Sequence, residues 1–218
     1  VMSAGGAQVL LKSAGMVPSG RVAVAGCGPL ALLVTQQLIS AGANVVALLE
    51  TTQAGDYLCA IPHLFGALSA GSYLRKGRRM RRDIKRADVP IHSGVSDLAA
   101  IGEGTLSAVA FSRDGARTEL AVDTLLLHIG VVPNTQITRQ VFCEHEWYAP
   151  QRYWRPVCDD WGATSQAQIA VAGDGGGIDG AAAAALHGRL AALDAACRQG
   201  KIELAERNRR ADPIRYEL

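Results

Sequence analysis

The sequence predicts an α/β fold built on one strand–turn–helix–strand unit, with an antiparallel meander set into it. Three observations carry this. Arg21–Glu50, RVAVAGCGPLALLVTQQLISAGANVVALLE, reads as strand, glycine turn, helix and strand. Between residues 95 and 122 the pattern changes to short apolar runs divided by Glu103-Gly104 and Asp114-Gly115, which are hairpin signals. A second strand–glycine–helix junction runs from Gln168 through Gly177 into a long Ala-rich segment.

In the first unit each residue has a mechanical role. Arg21–Ala25 is the entering strand, and Gly26-Cys27-Gly28-Pro29-Leu30-Ala31 follows in the form G-x-G-x-x-A. Gly26 permits the tight turn. Gly28, without a side chain, lets a pyrophosphate approach the backbone, and Ala31 lets helix and strand pack closely. Pro29 suits a first helical turn because its missing N–H would be unpaired there. The helix start offers free N–H groups and a partial positive charge to phosphates. Gly42 stops the helix, Asn44–Leu49 is the second strand, and Glu50 closes it. A carboxylate there accepts hydrogen bonds from ribose hydroxyls and repels a 2′-phosphate. Thr51 and Thr52 bring no cation, so NAD is expected over NADP.

The other elements follow in order. Residues 1–20 read as a short helix at Ala7–Ser13 and a loop through Pro18-Ser19-Gly20. Thr51–Leu58 is irregular, whereas His63–Leu74 and Leu74–Ala87 have helical spacing. Val89–His92 is a third strand, and Val95–Ile101, Leu106–Ser112 and Arg117–Val122 form the meander. Thr124–Ile129 is a buried strand ending at Gly130, where Pro133 fixes the chain direction and Asn134 bonds locally or caps a helix. Residues 142–163 hold all three tryptophans and read as a loop with a small hairpin. Strand Gln168–Ala172 leads to Gly173-Asp174, a helix runs from about Ile178 to Arg198, and Lys201–Leu218 is a peripheral helix ending in loose coil.

Composition narrows the classes. The chain has 218 residues, is 49% hydrophobic and carries a formal charge of +2, enough for a proper core and no global bias toward charged partners. Five cysteines without C-x-x-C argue against a disulfide framework or zinc knuckle and fit a reducing cytoplasm; no metal site is expected. No signal peptide is visible. His187, Arg189 and Asp194 interrupt the Ala-rich run, so it is not a membrane span. The basic stretch Arg75–Arg86 reads first as a solvated helix face, then as a docking surface for a partner subunit or an anionic ligand. Without interleaved aromatics, nucleic acid is not expected. Cys27 sits in the phosphate loop, but its size explains it more simply than reactivity. No histidine pairs with a nucleophile, so catalytic residues are unassigned.

Three motifs in order, G-x-G-x-x-A at Gly26, G-x-x-P-N at Gly130–Asn134 and T-x(7)-V-A-G-D ending at Asp174, resemble the FAD-dependent pyridine nucleotide-disulfide oxidoreductases. The branch resembled contains the flavoprotein subunits of opine oxidase and hydrogen cyanide synthase. The resemblance implies a Rossmann-like three-layer FAD/NAD(P)-binding fold and a flavoprotein oxidoreductase subunit. Residues 1–20 would be a linker or remnant of the FAD domain, 21–129 an NAD-binding domain, 130–198 the C-terminal part of the FAD domain, and 199–218 a tail. Gly26, Gly28, Pro29, Ala31 and Glu50 would bind NAD. Gly130, Pro133 and Asn134 would mark the return to the FAD domain. Gly173 and Asp174 would contact FAD, with Asp174 on its ribityl chain and the helix after Gly177 aimed at the flavin.

There are departures. The family's first FAD motif does not precede Gly26. The start Val1-Met2-Ser3 reads as internal to a longer protein, so stable FAD retention by this chain alone is not expected. The redox-active cysteine pair is absent. His128 stands where the family usually has a small residue. The implied function is electron transfer from an amine, opine or imino-acid substrate to FAD and an acceptor. The alternative is a non-catalytic subunit, in which the Gly26 site holds an adenine nucleotide for assembly of a heteromeric dehydrogenase.

Overall fold

The computed structural model describes residues 1–63 and 71–218, so part of the expected helix His63–Leu74 lies outside the described residues. The chain divides into two compact units, Val1–Gly130 and Val131–Leu218.

The first unit has strands β1 (Met2–Ser3), β2 (Val22–Gly26), β3 (Val45–Glu50), β4 (Ile91–Ser93), β5 (Ser96–Ile101), β6 (Ala108–Arg113), β7 (Ala116–Ala121) and β8 (Thr124–His128). Its helices are α1 (Ala4–Ala14), α2 (Gly28–Ser40), α3 (Ala54–Ala60) and α4 (Gly71–Arg86). Five strands form a parallel sheet in the order β1-β8-β2-β3-β4. β5, β6 and β7 form the expected antiparallel meander. Asp114 and Gly115, both at positive φ (51° and 78°), make its tight hairpin turn.

Alternation along the strands sorts the layers, because successive side chains point to opposite faces. Val22, Val24, Leu48 and Leu126 join Ala4, Ala7, Leu32, Leu38, Met80 and Ile84 in a core under the helices. Ala23, Ala25, Ala47, Leu49 and Leu125 join Val95, Val109, Phe111 and Val122 under the meander. Full burial of each large aliphatic or aromatic side chain here is worth about 1.5–3 kcal/mol. The result is three layers: helices, parallel sheet, meander. The sheet is covered on both faces, which is why β2 reads as an uninterrupted apolar run.

The expected helix Ala7–Ser13 is present and longer, Ala4–Ala14, and a short strand precedes it. Met2 and Ser3 pair with Leu126 and Leu127, and Ser3 Oγ accepts a hydrogen bond from the Gly6 amide at 3.0 Å to start α1. The segment 51–58, expected to be irregular, contains the start of α3. A capping box between Gln53 and Asp56 opens this helix, although it buries no residue.

The second unit contains α5 (Gln136–Gln140), the hairpin β9 (His145–Tyr148) and β10 (Tyr153–Pro156), α6 (Ala181–Arg198) and α7 (Leu204–Glu217). Leu190, Ala211 and Ile214 form its small helical core, with Trp161, Leu186 and Leu193 packed on it. The expected strand Gln168–Ala172 does not form. Its backbone folds onto residues 162–164 instead: the Val171 amide donates to the Gly162 carbonyl at 2.7 Å, the Thr164 amide donates to the Ile169 carbonyl at 3.1 Å, and Ala163 bridges Ala170. These local bonds satisfy groups that a strand would give to a ladder. The tail is regular almost to its end, since Ala211 and Ile214 are buried.

Candidate functional site

Parallel pairing places four residues in one row at the C-terminal edge of the sheet. Gly26 is the register partner of His128 on one side and Glu50 on the other, and Glu50 pairs with Ser93. Gly26 has φ +149°, and a Cβ there would stand 2.0 Å from the His128 carbonyl oxygen. Glycine is therefore demanded by the approach of β8. Gly28 differs: its φ is +83°, and no atom of the described residues lies within 4 Å of where a Cβ would be. Among those residues the space over Gly28 is open.

The bend is exposed at Cys27, Gly28 and Pro29. Cys27 caps α2 in an extended conformation without a side-chain cap bond, and the first turn holds no acid. Among the described residues no side chain caps the N–H groups at this helix start. Ala31 is 2% exposed and packs with Val22 and Val24, the close helix–strand contact its size predicts.

Glu50 is buried at the tip of β3. Ser93 Oγ donates to its Oε2 at 2.7 Å, and Arg81 Nη2 of α4 donates to its Oε1. Both oxygens are engaged. The sequence offers no cation at Thr51 or Thr52; the structure brings one from thirty-one residues away. Arg81 and Ser93 are partners of Glu50 that the sequence reading did not name. The signal for Arg81 was its place beside Met80, which with Ile84 marks the buried face of α4. Ser93 closes β4, the next strand in the sheet after β3.

His128 is 8% exposed, and its Cβ lies 3.0 Å from where a Cβ on Gly26 would be. Burial lowers its pKa. Burial and then Arg113 lower that of His92, which is half-buried against Phe111. The unfolded chain takes up these protons near pH ~6.5, and the folded chain does so only at lower pH. The unfolded state therefore binds more protons in that window, so stability is expected to fall as pH drops from neutrality through ~6.5. Urea midpoints measured against pH check this, and His128→Gln is expected to flatten the slope.

In the second unit Asn134 Oδ1 accepts from the Gln136 amide at 3.2 Å, a local bond, and Pro133 is buried. Gly130, with φ +127°, ends the first unit. Gly173, with φ +67°, packs so closely on α6 that a Cβ would come 2.9 Å from Ala184 Cβ, while Asp174 is exposed. The helix after Gly177 begins at Ala181 rather than Ile178, and the Ile178 amide donates to Tyr153 Oη at 3.0 Å. Gly173, Gly176, Gly177 and His187 line a cavity of about 490 Å³ within this unit. Trp147 and Trp154 stack edge-to-face, 5.8 Å apart, on the exposed hairpin. Trp161 is packed under Arg207 and Arg215. The five cysteines are free thiols, and burial raises the pKa of Cys158. Among the described residues no group of three metal-ligating side chains is gathered, and no helix is long and apolar enough to cross a membrane.

A glycine bend at the C-terminal edge of a parallel sheet, open over a helix start and flanked by an acid-tipped strand, defines a nucleotide-binding protein of Rossmann type. Residues 2–200 match the pyridine nucleotide-disulphide oxidoreductase family, and the chain belongs to it. It is 38% identical over 214 residues to an opine oxidase subunit of Rhizobium meliloti, covering 98% of this chain and 40% of that protein. It is 33% identical to hydrogen cyanide synthase subunit HcnB of Pseudomonas aeruginosa, covering 94% of this chain and 45% of that protein. The chain thus spans less than half the length of these relatives. The fold is similar to that of thioredoxin reductase from T. acidophilum, with TM-score 0.56 and 17% identity over 80% of this chain and 51% of that one. It is also similar to bacillithiol disulfide reductase from Staphylococcus aureus, with TM-score 0.57 and 14% identity over 83% and 51%.

Proposed function

We propose that this chain is the pyridine-nucleotide-binding portion of an FAD-dependent oxidoreductase subunit that acts on an amine, opine or imino acid. The observation that carries the reading is the bend at Cys27–Pro29. Among the described residues it is exposed, has open space over Gly28, and presents helix N–H groups that no side chain caps. A pyrophosphate fits there, with Gly26 fixing the turn and Ala31 the packing depth. Residues 21–129 hold the dinucleotide, and residues 130–198 add Gly130, Pro133, Asn134, Gly173 and Asp174 to an FAD site. Gly173 fits such a role because its missing side chain already brings the turn against α6.

The cofactors supply hydride and electron transfer; this chain's residues bind, orient and exclude. The substrate class and a partner subunit rest on two relatives, one named as an opine oxidase subunit and both as subunits. The test is calorimetric binding of 5′-ADP, together with NAD(P)H oxidation by the full-length protein using an artificial acceptor. Gly28→Ala is expected to weaken 5′-ADP binding at least about tenfold while the unit stays folded, because a Cβ there would stand in the pyrophosphate approach. Binding without turnover would instead favour a subunit that holds an adenine nucleotide only for assembly. Absence of nucleotide binding would end the proposal.

A further inference from the structure

α4 carries Arg75, Lys76, Arg78, Arg79, Arg81, Arg82, Lys85 and Arg86 against one acid, Asp83. That acid is occupied: Gln36 Nε2 donates to it at 2.6 Å, and Arg79 lies 3.8 Å away. Met80 and Ile84 are buried in the core beneath, which fixes the rotation of the helix. Arg78, Arg81, Arg82, Lys85 and Arg86 then line a shallow cavity of about 420 Å³ with no acid in its wall. These residues are three and four apart, where like charges disfavour a helix. Such a cluster is stabilised by an anion.

Arg81 belongs to this cavity and to the strand edge at once. Its Nη2 is held by Glu50, which Ser93 orients from the other side, and its side chain remains 38% exposed against 9% for Glu50. The tip of this strand is where an adenosine ribose presents its 2′ position in folds of this type. A ribose arriving there meets a guanidinium in front of an occupied carboxylate.

We propose that Arg81, anchored by Glu50 and assisted by Arg78, Arg82 and Lys85, receives a phosphate at the ribose 2′ position, so that the nucleotide is of the NADP type. The inference rests on the nucleotide reading of the Gly26–Ala31 bend. It reverses the preference that Thr51 and Thr52 suggested. A guanidinium with one edge on a carboxylate keeps other N–H groups for phosphate oxygens, and its planar fork suits them. Glu50 on this reading is a positioning residue.

The experiment titrates the full chain with 5′-ADP and with adenosine 2′,5′-bisphosphate. The bisphosphate is expected to bind at least about tenfold tighter, the worth of a charge-assisted phosphate contact, and the advantage should shrink with salt. Arg78→Gln and Arg82→Gln leave the Glu50 pair untouched. Each is expected to cut the preference about threefold while 5′-ADP affinity stays constant, as for loss of one exposed charge contact. The neutral double variant Glu50→Gln with Arg81→Gln should abolish the preference. Equal affinities, tighter 5′-ADP binding, or a preference unchanged in both single variants would overturn the proposal. Binding of poly-glutamate without discrimination between the nucleotides would also overturn it, making the surface a docking face for an acidic chain. If neither nucleotide binds, the nucleotide reading itself fails, and that result is distinct from the others.

Discussion

Gly26→Ala is expected to unfold the first unit under conditions where the parent chain is folded. The added methyl would stand 2.0 Å from the His128 carbonyl oxygen and 2.8 Å from its carbon. The obstacle is backbone of the adjacent strand, held by the β2–β8 ladder, so it has no rotamer by which to yield. Positive φ adds strain for any residue with a Cβ. Together these place the loss above about 3 kcal/mol, a large share of a domain's stability. Gly28→Ala is the control. Its methyl meets nothing, so the only cost is the left-handed backbone at φ +83°, about 1–2 kcal/mol. Circular dichroism with urea titration separates the two. Equal midpoints would contradict the register that aligns Gly26 with His128.

The second large effect belongs to Asp194. It is 5% exposed, with Arg198 and Arg207 each 2.6 Å from its carboxylate. Arg198 lies half in solvent and rehydrates easily if released. The Arg207 side chain is 16% exposed and stacks on Trp161, 4.0 Å from the ring centroid. Asp194→Ala therefore leaves a largely buried guanidinium with no counter-charge, at a cost of about 3 kcal/mol. The loss falls on the α6–α7 pair, whose own core is only Leu190, Ala211 and Ile214 with their neighbours. Trp161 fluorescence should report an earlier urea transition, with 5′-ADP affinity unchanged. A transition that coincides with that of the parent would show that the pair contributes nothing net.

The layered core and the glycine bend were legible because each depends on residues near one another in sequence. The G-x-G-x-x-A spacing, the apolar run of β2 and the Asp114-Gly115 turn are local instructions. Glu50 was found for the same reason, but its surroundings were not. Arg81 and Ser93 reach it through packing of α4 and pairing of β4, and neither is encoded in the residues beside it. The segment 168–172 failed in the opposite direction. Its β-forming residues satisfy their backbone groups on residues 162–164, a tertiary choice that overrides propensity. His128 is the buried neighbour of the turn glycine, which nothing around residue 128 announces.

The order of strands sets when the bend can exist during synthesis. β8 is made last of the eight strands among the described residues of its unit, yet it lies between β1 and β2 in the sheet. Until Thr124–His128 has emerged from the ribosome, β1 has no partner and β2 lacks one of its two. The meander, contiguous from Ser96 to Ala121, closes on itself from neighbouring contacts, the kind that form fastest. A nascent chain therefore carries a finished antiparallel plate before the groove at Gly26–Gly28 is framed. The row that sets Gly26 beside His128 is therefore among the last parts of the sheet to be completed.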